Sequence, residues 1–124
     1  MTMFSALGAG NMANAILAGA VSAGYLSPGD IGTYNVHEEK REAMAAKGYR
    51  VYRTIGELCR ESRYILLSMK PQQAEEVLRE MAPAMGPETV VVSIAAGISA
   101  HYIRGILGEG TKVVLTMPNT PLLV

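Results

Sequence analysis

Six short apolar runs, separated by helix-like segments, constrain this chain more than any other feature. The runs are "MFSALG" (3–8), "IGTYNV" (31–36), "YRVYR" (49–53), "YILLSM" (64–69), "TVVVSI" (89–94) and "KVVLTM" (112–117). Between them lie an Ala-rich segment over 11–23 and a charged helix over 38–48 that Gly48 ends. A short helix over 54–62 follows, with Thr54 as its N-cap and Glu57 completing a capping box. Pro71 opens the next helix at a position that tolerates proline, and the last spans about 99–107. Residues 24–30 read as loop from their Gly and Pro. Strict alternation of this kind predicts an α/β protein, a doubly wound parallel sheet of about six strands with helices on both faces. The near-continuous apolar run at 64–69 fits a strand covered on both sides.

With 124 residues, 49% of them hydrophobic, the chain suits one domain with a real core. Eleven basic residues balance eleven acidic ones, so no charge excess favours nucleic acid or an anionic membrane. Six Tyr, one Phe and no Trp are a poor supply for stacking on bases. Cys59 is the single cysteine, which excludes an internal disulfide and fits a reducing compartment. No apolar run approaches the roughly 20 residues of a membrane span. No basic segment precedes the apolar start, so no signal peptide is expected. The expectation is a soluble, cytoplasmic domain. The chain stops at Val124, just after "MPNTP", as expected of a fragment or of a domain cut from something longer.

The first strand runs into the first helix through "GAGNMA" (8–13). In a doubly wound sheet this turn faces the ligand crevice. Gly8 permits a tight turn, Gly10 leaves room for backbone N–H groups to approach a pyrophosphate, and Ala13 lets helix and strand pack closely. The helix beginning at Asn11 adds a partial positive charge that favours phosphate, with Asn11 at the rim. Tight packing alone would also select small residues here. The position between first strand and first helix favours the dinucleotide.

The second strand bears on which dinucleotide. Asp30 has a tempting spacing for ribose recognition, but it precedes that strand and belongs at the wrong end of the sheet. At the carboxyl end stand Asn35, Val36 and His37, with Lys40 and Arg41 following. No carboxylate occupies the strand end to repel a 2′-phosphate, although Glu38 and Glu39 weaken the argument. NADP(H) is favoured and NAD(H) stays open.

Three more stretches fall at the carboxyl ends of predicted strands: "SMKPQ" (68–72), "SIAAGIS" (93–99) and "MPNTP" (117–121). Together with "GAGNMANAI" they closely resemble the N-terminal domain of pyrroline-5-carboxylate reductase, the last enzyme of proline synthesis, over essentially the whole chain. The resemblance implies a Rossmann domain over 1–124 and hydride transfer from NAD(P)H to the C=N carbon of Δ1-pyrroline-5-carboxylate, giving L-proline. It implies a homo-oligomer for the full-length protein, through a C-terminal helical dimerisation and substrate domain that this chain lacks. Carried over by motif, Leu7, Gly8, Ala9, Gly10, Asn11 and Met12 would wrap the pyrophosphate. Asn35 would approach the adenosine ribose. Ser68, Met69, Lys70, Pro71, Ile94, Ala95 and Ala96 would line the nicotinamide side, largely through backbone. Asn119 would lie near the substrate. Leu115 departs from the family, where Arg is common. Val36 and His37 depart where Arg or Ser is common.

Other residues have plainer readings. Lys70 is open as a catalytic acid, but a loop residue held by its backbone is preferred, and no catalytic side chain is assigned. An imine needs little beyond a well-placed hydride. His37 and His101 lack metal-ligand spacing and read as exposed, so no metal is expected. Cys59 reads as a buried apolar filler. "SIAAG" with Gly97 would serve equally as a plain strand-to-helix turn. Tyr34, Tyr49 and Tyr52 read as sheet packing. Two other functions stand beside the reductase: an NADP-dependent enzyme with a deazaflavin partner, and a dinucleotide-binding module without catalysis.

Overall fold

The computed structural model describes residues 2–7, 11–34, 37–69, 71–94 and 98–115. The strands are β1 (Thr2–Leu7), β2 (Ile31–Tyr34), β3 (Arg50–Val51), β4 (Ser62–Leu67), β5 (Val90–Ser93) and β6 (Lys112–Leu115). The helices are α1 (Asn11–Ser22), α2 (Glu38–Ala46), α3 (Ile55–Glu61), α4 (Pro71–Met81) and α5 (Ala100–Leu107). All pairings are parallel, in the order β3-β2-β1-β4-β5-β6. This is the expected doubly wound sheet.

Alternation along the strands explains two cores, because successive side chains point to opposite faces. Leu7, Ile65, Leu67 and Val91 join Leu58 of α3, Leu78 of α4 and Ile103 of α5 on one face. Ala6 and Ile31 join Leu17 of α1 and Met44 of α2 on the other. Helices therefore cover both faces. Cys59, Tyr52 and half-buried Tyr34 pack with the first cluster and Tyr49 with the second, as read from the sequence.

Glycine ends α2 as expected. Gly48 has φ +88°, its N–H donates to Ala45 O (3.0 Å), and the Tyr49 N–H donates to Met44 O (3.3 Å). That pair of bonds is a Schellman stop, and Tyr49 and Met44 then share a core. Thr54 caps α3 by accepting from the Glu57 N–H (3.1 Å). Residues 24–30 include one 3-10 turn, Pro28–Asp30.

β1 and β5 begin or end one residue from the expected bounds, and two strands differ by more. The run expected at 64–69 forms its strand at Ser62–Leu67, two residues earlier. Ser62 enters the buried strand because its hydroxyl is satisfied, meeting Ser5 Oγ and Leu58 O at 2.5 Å each. The strand expected at 49–53 is only Arg50–Val51. Tyr49 is committed to ending α2, and the Tyr52 N–H makes one last bond to Thr33 O (2.8 Å).

Candidate functional site

The strand order determines where a ligand crevice opens. From β1 the chain adds β2 and β3 on one side, then returns to place β4 on the other. The connections after β1 and β4 therefore diverge, leaving a crevice outside their carboxyl ends. Leu7 and Leu67 end these strands in register. Just beyond, the Ser68 N–H donates to Leu7 O (3.0 Å) and the Ile94 N–H donates to Leu67 O (3.0 Å). The Ser68 hydroxyl donates to the same Leu7 carbonyl at 3.0 Å. Three residues expected at the site, Leu7, Ser68 and Ile94, are thus joined along one edge.

The chemistry of that edge is mainly that of backbone. The Leu7 and Met69 side chains are 2% and 5% exposed and point into the core. Neither side chain is therefore available at the carboxyl edge of the sheet, where their peptide groups lie. Three positions separate Leu7 from Asn11, where α1 begins, with Met12 next in its first turn. That turn contains no acidic residue, so its partial positive charge is not offset from within the helix. The first turn of α4, opened by Pro71, also has none. A strand edge of backbone groups and an acid-free helix start fit a bound pyrophosphate. Gly8, Ala9, Gly10, Asn35, Lys70, Ala95, Ala96 and Asn119 lie outside the described residues, as do the side chains of Asn11, Met12 and Pro71.

Beyond β2 the charges are mixed. Glu38 and Glu39 occupy the first turn of α2, followed by exposed Lys40 and half-buried Arg41. The backbone N–H groups of Lys40 and Arg41 both donate to His37 O. Asp30 sits before β2, and its carboxylate accepts from the Ser27 N–H (3.0 Å). It is at the amino end of the sheet, away from the crevice.

Several residues contribute little to ligand chemistry. His37 and His101 are exposed, and among the described residues no group of three His, Cys, Asp or Glu could hold a metal ion. Cys59 is 1% exposed, and burial pushes its thiol up from 9.0 to about 12, against a smaller lowering by Arg60. It is no nucleophile at neutral pH. Among the described residues no helix is long and apolar enough to cross a membrane. The hydroxyl bond from Ser68 to Leu7 was not foreseen. The available signal was a hydroxyl residue just after an apolar strand.

Comparison with known proteins agrees with this geometry. The family described as NADP oxidoreductase, coenzyme F420-dependent, matches residues 4–97. A pyrroline-5-carboxylate reductase of Methanosarcina acetivorans is 38% identical over 114 residues, covering 91% of this chain and 42% of that protein. The chain thus spans less than half the length of this curated relative. A pyrroline-5-carboxylate reductase of Coxiella burnetii superposes with TM-score 0.86 at 27% identity, covering 97% of this chain and 45% of that one. A Plasmodium falciparum pyrroline carboxylate reductase crystallised with NADP bound gives TM-score 0.81 at 24% identity, covering 98% and 44%. Through the match that spans most of its length, the chain belongs to the family of NADP oxidoreductases described as coenzyme F420-dependent.

Proposed function

We propose that this chain is the dinucleotide-binding part of a pyrroline-5-carboxylate reductase, which reduces Δ1-pyrroline-5-carboxylate to L-proline with NADPH. The observation that carries the reading is the 38% identity to a reductase of that name over 91% of the chain. A match of that extent must run past residue 97, where the broader family match stops. The shared crevice edge at Leu7, Ser68 and Ile94 supports it independently of the name.

When bound, a reduced nicotinamide supplies hydride. Reduction of the C=N bond takes one hydride, which the nicotinamide carries, and one proton at the ring nitrogen; the contribution assigned to this chain is binding and orientation. Peptide groups after β1 and the start of α1 hold the pyrophosphate. Those after β4 and β5 flank the nicotinamide, and Asn119 lies toward the substrate. The full-length protein contributes its substrate and oligomer contacts outside 1–124, and acts in the cytoplasm.

NADP(H) is the preferred cofactor, with Lys40 and Arg41 near the expected 2′-phosphate. Glu38 and Glu39 keep that preference modest. The description of the matched family favours one second reading, a hydride exchange between NADP and a deazaflavin.

Turnover separates the two. The full-length protein is expected to oxidise NADPH, followed at 340 nm, when given pyrroline-5-carboxylate, with proline as product. Oxidation with a deazaflavin and none with the imine would replace the first reading with the second. Binding without turnover of either would leave a non-catalytic module.

A further inference from the structure

We propose that Ser68 is a positioning residue for the dinucleotide: its hydroxyl holds the last carbonyl of β1 and sets the direction in which the chain leaves that strand. The inference rests on the dinucleotide reading above.

The parallel ladder brings one donor to Leu7 O, the Ser68 N–H at 3.0 Å. The Ser68 hydroxyl brings a second, also at 3.0 Å. Two donors use both lone pairs of a carbonyl oxygen, so its orientation is set twice over. The next carbonyl along the edge, Leu67 O, takes the Ile94 N–H, and isoleucine has no hydroxyl to add. The doubled hold falls at the last residue of β1, directly before Gly8 in the sequence.

Peptide planarity gives this its consequence. A trans peptide unit is rigid, so a fixed carbonyl also fixes the plane and the direction of the N–H within it. The unit concerned is the one through which the chain leaves β1. Hydrogen bonds from backbone N–H to phosphate oxygen weaken steeply when misaligned. A small rotation there would therefore be felt first as lost cofactor affinity. Ser68 acts from the β4 side, 61 positions along the chain, and ties together the strands between which the crevice opens.

A purely structural bond would show itself differently. β1 and β4 already pair from Thr2–Ser62 to Leu7–Leu67, so a single terminal bond adds little to the fold. The test uses the full-length protein with Ser68→Ala and Ser68→Thr, reading NADPH Kd, KM for each substrate and Tm. Ser68→Ala is expected to raise the Kd and KM for NADPH about five- to tenfold, the size of one backbone N–H to phosphate bond lost through misalignment. Tm should stay within about 2 °C, and KM for the imine should not change. Ser68→Thr, which keeps a hydroxyl, is expected to bind NADPH within about twofold of the wild type.

Unchanged affinity in Ser68→Ala overturns the proposal. So does equal loss in both variants, because the hydroxyl would then not be the cause. A wild-type protein that binds no dinucleotide overturns the underlying reading instead, and is recognised before any variant is made.

Discussion

Cys59 shows burial deciding what a residue can do. It is 1% exposed among Leu58, Ile65 and Leu78, and its thiol is raised from 9.0 to about 12 chiefly by desolvation. Between those two values the unfolded chain has released a proton that the native protein keeps. This contribution to stability is therefore intact below pH 9, declines as pH rises above 9, and is lost as pH approaches 12. Urea unfolding of wild type and Cys59→Ala from pH 7 to 10.5 tests it. The stability difference between them should be flat to about pH 8, then fall by at most about 1.4 kcal/mol per pH unit. A difference that stays flat throughout would mean that the native thiol ionises as freely as the unfolded one. Ser5 and Ser62 make a related point. Their paired hydroxyls, 57 positions apart, were not legible in the sequence because nothing local marks a long-range partner.

For single elements, punctuation was the most legible feature. Gly48 was readable as a stop, and it ends α2 with φ +88° and both Schellman bonds. A Cβ there would sit 3.1 Å from Pro28 Cβ, in a backbone region that side chains disfavour. Gly48→Ala should cost about 1–2 kcal/mol. Gly105 lies inside α5, and an added Cβ meets nothing within 4 Å. Gly105→Ala should leave stability unchanged or raise it by up to about 1 kcal/mol. Thermal unfolding of the two variants is the measurement, and equal shifts would contradict the account. The strand ends were less legible. Apolar character alone moved β4 toward its carboxyl end, since it could not register that Ser62 is satisfied and therefore buried. It also lengthened β3, where Tyr49 is apolar but engaged in ending a helix.

For the whole molecule, strand order sets β1, β4 and β5 side by side, with their carboxyl ends at one edge of the sheet. The quoted motifs could be expected at carboxyl strand ends from alternation alone. That β1 and β4 are neighbours follows only once the sheet is assembled, since their pairing depends on contacts some 60 positions apart. Leu7, Ser68 and Ile94 were expected together from the sequence, and hydrogen bonds join them along one edge of the sheet. The double hold on Leu7 O was not, because a hydroxyl bond to a carbonyl depends on geometry that spacing does not carry. Cofactor preference was legible only as a balance. Glu38, Glu39, Lys40 and Arg41 crowd one helix start with opposing charges, and at physiological salt their fields are partly screened.

On the proposed function, the crevice between β1 and β4 receives a dinucleotide, with NADPH preferred. Calorimetric titration of this chain with NADPH and NADH at physiological salt is the test, with Gly10→Val as a control that would put a side chain where the proposed pyrophosphate cradle needs none. One saturable site per chain is expected, with NADPH binding several-fold tighter than NADH and neither binding to the variant. Tighter NADH would contradict the cofactor preference. No heat from either cofactor, or normal binding by Gly10→Val, would contradict the claim itself.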